Sequence, residues 1–420
     1  MVAPRYIIYL TDTDSFSMNQ GKDDDIVEEV ASEDSSYESE DEFVTPGLDS
    51  LFETRKLMLK YSLKQASIRV NNQKNLKNQL DFVKILKHRR SINEKLLKFD
   101  NVGTQILNEN KRTFSSIKFY QDLIISGSWD GNLYLLDKTS LQLKKNSISG
   151  HQEKVNGLDI KSDLLISGGG EGNIILWNLL DQKDKTLLKP TTTIPAHSNR
   201  ITKTLYHPIS NYIFSTSFDQ TWKLWDITTQ SCILTQEGHS REIFTGSVHP
   251  DGSLFVSSGL DGISHIWDLR SGQLISSLQK HAQGIYSSDF SPNGYYLATA
   301  SGDCSVKIWD LRKLSQPEFT IPSHTKLVSQ VRFFNRTDKE LLSTPVTDEF
   351  GNHPQTLDSS GCFLVTSSYD GLINIWSSDN WIKVKSLKGH NDKVTSCDID
   401  GSGTNIVSCG WDRTIKLWSL

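Results

Sequence analysis

The chain has 420 residues, of which 36% are hydrophobic and 23% charged, and it carries a formal net charge of −5, a make-up that fits one large domain plus an extension. Its five cysteines are odd in number, scattered and without a Cys-x-x-Cys pair, which argues against a disulfide framework or a zinc site and suits a reducing compartment. The only early apolar run, Tyr6 to Leu10, is too short for a signal-peptide core or a membrane span.

Charge is distributed unevenly. Residues 21–42 hold eleven Asp or Glu against one Lys, with serines between them, so residues 1–47 read as an acidic, disordered segment and a phosphorylation target. From Arg55 to Lys98 the balance reverses, with thirteen Lys or Arg against Asp81 and Glu94. Residues 48–95 read as a basic helical segment. Ser50 and Glu53 have capping-box spacing, followed by Leu51, Met58, Leu59 and Tyr61 at near-helical intervals. A second helix is predicted over 78–99, with Leu80, Val83, Leu86 and Leu97 toward one face. Lys84, Lys87, Arg89, Arg90 and Lys95 lie elsewhere on it and are candidates for contact with RNA phosphates or an acidic partner; the plainer reading is solvated surface charge. Lys87 to Arg90 also suit nuclear import. The basic segment is expected to be separable from the rest of the chain, provided 96–107 is kept.

The remainder is repetitive. Trp177, Trp225, Trp267, Trp309, Trp376 and Trp418, with Leu136 upstream of them, are separated by 41, 48, 42, 42, 67 and 42 residues. That period fits four-stranded propeller blades, seven in number. Six residues before each marker stands Asp130, Glu171, Asp219, Asp261, Asp303, Asp370 or Asp412, and four before that a Ser or Thr. A histidine lies 28 residues ahead of the tryptophan in four units, 26 ahead at His151 and 52 ahead at His324.

Histidine, aspartate and serine are the residue types of a hydrolase triad, but an enzyme needs such a set once. Here it recurs, so it is read as a buried polar set in which carboxylate, imidazole, hydroxyl and indole N–H satisfy one another. The best-formed sets are His239, Ser257, Asp261 and Trp267; His281, Thr299, Asp303 and Trp309; and His390, Ser408, Asp412 and Trp418. No catalytic residue, metal site or cofactor site is expected, and the protein is read as not an enzyme.

Some units depart from the pattern. Unit one has Leu136 for Trp and Asn108 in the histidine position, unit two has Glu171 and Trp177-Asn178, and the last two have Trp376-Ser377 and Trp418-Ser419. These blades are expected to be held less tightly. An insertion between Phe334 and Cys362 reads as a long loop. The chain stops two residues after Trp418, so the last blade lacks an outer strand, and Leu96 to Leu107 is the expected donor. The fold class is therefore all-β: a seven-bladed propeller over 96–420, closed by an N-terminal strand.

Residues just before each turn Asp, and three after each His, should line one rim of the central channel. Trp129, Lys154, Arg200, Phe218, Tyr369, Lys393 and Trp411, with Lys111, form an aromatic and basic arc there, whereas blades four and five supply no positive charge. A partner protein or single-stranded RNA is expected to dock on it.

Gly238-His239, Gly389-His390, Trp225-Asp226, Trp267-Asp268 and Trp309-Asp310 resemble the signatures of WD-repeat propellers. Together with "EFVTPGLDSLFETRKLMLKYSLKQA" from Glu42 and "HPDGSLFVSSGLDGISHIWDLRSGQ" from His249, they make the chain similar to the WD-repeat subunits of the spliceosomal U4/U6 small nuclear ribonucleoprotein. The resemblance implies a nuclear, non-enzymatic scaffold in pre-mRNA splicing. Such a scaffold binds a partner splicing protein and helps hold paired U4 and U6 RNA, as a monomer within a multiprotein complex and away from membranes. The family's small splicing-factor motif is not recognisable in residues 1–41, so contacts through it are not carried over. The competing class is a WD-repeat adaptor elsewhere, such as a ubiquitin-ligase substrate receptor.

Overall fold

The structure, a computed structural model, describes residues 48–79, 82–106, 112–147, 150–179, 187–336 and 360–420. The acidic segment, Asn108, Lys111 and most of the blade-six insertion lie outside the described residues.

The seven repeats form seven antiparallel sheets arranged as blades. The first strand of each blade packs against the first strands of its neighbours, which makes a closed ring around a channel. Burial explains the strand composition. A second strand such as Tyr212–Ser217 is buried at every position because a neighbouring blade covers each face, so apolar residues and small hydroxyls fill it without alternation. The outermost strand of the same blade, Ser231–Gln236, has no buried residue. Blade one carries a fifth, two-residue strand, Leu187–Leu188, parallel to Leu143–Ser147.

The ring is closed by strand β1, Asp100–Ile106, which pairs antiparallel with the last strand, Thr414–Ser419. Lys416 Nζ also donates to Thr104 Oγ1 at 3.1 Å across this seam. The free edge of Thr414–Ser419 is thereby filled.

Each first strand has a bulge after its opening residue, as at Ile201/Lys203 and Ile243/Thr245. The extra residue faces the next blade. Asn156 Nδ2 donates to the Ile201 carbonyl at 2.9 Å, Thr202 Oγ1 to Ile243 at 3.0 Å, Ser329 Oγ to Val394 at 2.7 Å and Thr395 Oγ1 to Phe114 at 2.9 Å. Ser115 donates likewise to Val155. Blades four and five break this series, with Phe244 and Tyr286 at the same place.

Two helices precede the ring, α1 at Leu48–Gln79 and α2 at Phe82–Leu96. Both lie on the end of the propeller opposite the Asp-bearing turns. Arg69 forks onto Asp251 at 2.7 Å and reaches the Asn293 carbonyl at 3.1 Å, both in turns between first and second strands. Arg89 pairs with Asp379 and Asn93 Nδ2 meets Ser377 Oγ at 3.3 Å, in the third turn of blade six.

These helices differ from the sequence expectation in three ways. Ser50 is no cap: α1 is already formed at Leu48, and the Ser50 carbonyl accepts Thr54 Oγ1 at 2.7 Å. The buried stripe of α1 is Thr54, Met58 and Ser62, and Met58 enters a cluster with Tyr212, Phe214, Trp222, Phe255 and Trp267. Val83 on α2 and Leu97 just past its end are 51% and 53% exposed, while Ile92 and Leu96, with Phe99 beyond, pack on Phe334 and Phe363. With so few apolar residues on either helix, periodicity alone does not choose the face; the shape of the propeller's end does.

Candidate functional site

The repeated polar sets are assembled in six blades. In blade five, His281 Nδ1 meets Asp303 Oδ2 at 2.8 Å, His281 Nε2 meets Thr299 Oγ1 at 2.8 Å, and Trp309 Nε1 donates to the same hydroxyl at 3.0 Å. His239, Ser257, Asp261 and Trp267 repeat this at 2.9, 2.8 and 2.9 Å, and His390, Ser408, Asp412 and Trp418 at 2.8, 2.8 and 2.9 Å. A directed proton chain satisfies every member: indole N–H to hydroxyl oxygen, hydroxyl O–H to Nε2, Nδ1–H to carboxylate. Burial alone would raise the Asp412 carboxyl, but the hydrogen bonds of His390 and Thr414 hold it down to about 2. The aspartates are thus ionised acceptors in a structural network, with each hydroxyl already committed to an indole.

The expectation of looser sets in the departing blades is corrected for three of them. Blade two is complete, with His151 on Glu171 and on Ser167 at 2.7 Å, and Trp177 on Ser167 at 2.8 Å. Blades six and seven are complete as well, because the residue after the tryptophan takes no part in the set. Blade one solves the problem differently: the Tyr134 hydroxyl donates to Asp130 Oδ2 at 2.6 Å, standing in for the missing imidazole.

The opposite end of the blades from α1 and α2 carries the rim. Trp129 and Trp411 pack edge to face at 5.5 Å, and Tyr369 lies 6.2 Å from Trp411. Lys393 sits over the Trp411 ring at 4.1 Å and over Tyr369 at 5.2 Å, Lys154 over Trp129 at 5.3 Å, and Arg200 over Phe218 at 4.0 Å. Each cation is therefore already placed against an aromatic face. Burial, and next the charge of Arg200, push the Lys154 ammonium down, and blade two has only Gly170 before its turn acid. A depression of about 520 Å³ opens beside them, lined by Arg112, Trp129, Asp130, Gln152, Glu153 and Lys154.

Two rim residues escape the sequence register. Phe244 lies 6.2 Å from Phe218 and 4.9 Å from Tyr286, extending the aromatics through the blades without cations. They occupy the bulge position, five residues after His239 and His281, where other blades have Ser, Thr or Asn. That exchange of a hydroxyl for a ring was the available signal.

Of the basic α2 candidates, Arg89 is turned inward onto Asp379 and so is no free contact residue. Arg90 pairs with Glu94 at 3.1 Å one turn on, Lys87 is exposed and Lys95 half-buried. Lys84 lies on the helix, but its side chain is outside the described part.

Within the channel, Lys118, Asp159, Lys203, Asp289, Arg332 and Asp398 form a charge network that the sequence reading did not find. Each aspartate accepts a backbone N–H of the next blade, from Tyr206 at 2.8 Å, Phe333 at 2.8 Å and Phe119 at 2.9 Å. Burial, then Arg332 and Lys118, push Lys203 down to about 7. The network staples blades together.

Seven blades, six of them carrying an acid–His–Ser/Thr–Trp set, are the architecture of a WD-repeat propeller, and the WD domain, G-beta repeat family model matches residues 143–178, 188–226, 230–268, 272–310, 353–377 and 381–419. The chain is 42% identical over 389 residues to "U4/U6 small nuclear ribonucleoprotein PRP4" of Saccharomyces cerevisiae, covering 92% of this chain and 79% of that protein. A PRP4-like protein of Arabidopsis thaliana is 51% identical over 59 residues, 14% of this chain and 11% of the relative. A p21-activated protein kinase-interacting protein 1-like of Gallus gallus is 42% identical over 57 residues, 14% of this chain and 15% of the relative. The chain belongs to the PRP4 family of WD-repeat proteins.

Proposed function

We propose that this protein is a non-enzymatic scaffold of the U4/U6 small nuclear ribonucleoprotein, acting in the nucleus in pre-mRNA splicing. The observation that carries this reading is the 42% identity to the yeast U4/U6 protein, which extends over 92% of the chain and so spans both the helices and the propeller. The repeated polar sets supply rigidity rather than chemistry, and the rim supplies aromatic and cationic anchors of the kind that carry interface energy. Its partners are U4/U6 ribonucleoprotein components, with a splicing protein seated on the rim and U4/U6 RNA held directly or through that protein.

The test is co-purification. Tagged chain should recover U4 and U6 RNA from nuclear extract, and Lys154→Glu with Arg200→Glu and Lys393→Glu should weaken recovery at least tenfold. Each lost cation–π contact is worth about 0.5–2 kcal/mol at these half-buried sites, so the melting temperature should fall by several degrees at most. Full recovery by the triple variant would remove the rim from the assembly, and absence of both RNAs from the wild-type eluate would overturn the scaffold reading itself.

A further inference from the structure

Among the described residues nothing covers the outward face of α1, and its chemistry is mixed. Thr54, Met58 and Ser62 are 3%, 0% and 3% exposed on the propeller side, whereas Phe52, Leu57, Leu63 and Ile68 on the solvent side are 58%, 52%, 49% and 43% exposed. Lys56, Lys60 and Lys64 run between them at intervals of four, all exposed. Among the described residues none of these lysines has an acidic partner within ion-pair distance. Lysines flanked by large apolar side chains are a poor match for a phosphate backbone. The arginines suited to forking phosphates are spent elsewhere: Arg69 is on Asp251, Arg89 on Asp379, and the Arg55 guanidinium packs on the Gly272 turn.

The complementary surface is present in the chain itself. Residues 23–30 read Asp-Asp-Asp-Ile-Val-Glu-Glu-Val, five acids with Ile26, Val27 and Val30 spaced to share one helical face. Residues 31–47 span up to about 55–60 Å when extended, against roughly 24 Å of helix from Phe52 to Ile68. Tethering raises the effective concentration of such a segment to the millimolar range, so weak contacts are enough. We propose that residues 23–30 dock on the outward face of α1, apolar side chains against Phe52, Leu57 and Leu63 and carboxylates against Lys56, Lys60 and Lys64.

Zero-length carbodiimide coupling of the purified full-length chain, read by mass spectrometry, tests this without any ribonucleoprotein, so its outcome is independent of the scaffold reading. Amide links should join Asp23, Asp24, Asp25, Glu28 or Glu29 to Lys56, Lys60 or Lys64. Their yield should fall severalfold in about 1 M salt, where charges are screened beyond ~3 Å. It should also fall severalfold in Ile26→Asp with Val27→Asp and Val30→Asp, which keeps every acid but removes the apolar match. Links confined to rim lysines such as Lys154 and Lys393, or no links, would overturn the proposal. So would an unchanged yield in the apolar variant, which would reduce the contact to bulk charge attraction. Loss of the links on adding equimolar oligouridine would assign the face to RNA instead.

Discussion

Glu171 occupies a place held by aspartate in the other six units, and its extra methylene has to go somewhere. Space comes from Gly169, where an added Cβ would collide with His151 Nδ1 and with the Glu171 carboxylate oxygens. Blades one, three, five and six have serine there, as Ser128, Ser217, Ser301 and Ser368, whereas blades four and seven pair Gly259 and Gly410 with aspartate. Gly169→Ser should therefore lower the melting temperature by several degrees, since displacing the imidazole leaves buried donors unpaired at about 1–3 kcal/mol each. Gly169→Ser combined with Glu171→Asp should recover most of that loss, and a thermal melt of the two variants side by side checks it. A second residue-scale effect concerns pH. His207 is fully buried, donates from Nε2 to the Gly252 carbonyl at 3.0 Å and accepts the Ile209 N–H at Nδ1 at 3.0 Å, so a proton on Nδ1 would destroy an acceptor. Burial chiefly, with Lys161 adding to it against the Gly252 bond, takes its pKa from 6.5 down to about 4. Between those values the unfolded chain binds the proton and the folded one does not, so stability falls as pH drops through 6.5 toward 4 and levels off below. This displacement is worth roughly 3 kcal/mol at about 1.36 per pKa unit. Denaturant titrations at pH 7 and pH 4.5 should show the drop, and His207→Gln should flatten it.

At the scale of elements, the helices are part of the propeller's cores rather than an appendage. Met58 is fully buried among blade-three and blade-four aromatics, and Ile92 and Leu96 close the end of the cluster that holds Phe334 and Phe363. Met58→Ala should cost about 2–5 kcal/mol, the range for emptying a buried site of this size. Chemical denaturation should show a lower midpoint with an unchanged slope if the helix stays docked. Deleting residues 48–96 should destabilise the propeller and expose apolar surface to a fluorescent hydrophobic probe. This runs against the expectation that the propeller stays folded without the basic segment and loses association alone. The same docking explains why the basic run is not one surface: Arg55, Arg69 and Arg89 face the propeller and hold the helices down.

For the whole molecule, closure decides cooperativity. β1 supplies the backbone pairing for the last strand, and without it Thr414–Ser419 would be an open edge. Consecutive N–H groups of a strand point alternately toward and away from a neighbour, so Thr104→Pro with Gln105→Pro must remove a donor on the seam side. The double variant should melt earlier and self-associate, as measured by light scattering after size-exclusion chromatography.

The blade number and the buried polar sets are legible in the sequence, because a propeller repeats one hydrogen-bonding problem and each copy leaves the same residue types at the same spacing. Closure is legible too, in the apolar stretch before blade one, which supplies the strand that pairs with Thr414–Ser419. What depends on contacts between distant residues is not written in any spacing. Gly169 makes room for Glu171 only because His151 comes back across the blade. Phe244 and Tyr286 become rim residues because the ring brings successive bulges together, and the faces that α1 and α2 bury are chosen by pockets built from blades three to six. Local hydrogen-bonding patterns are set by sequence neighbours, whereas helix docking and rim composition arise from packing between residues up to hundreds of positions apart, which only the folded chain brings together.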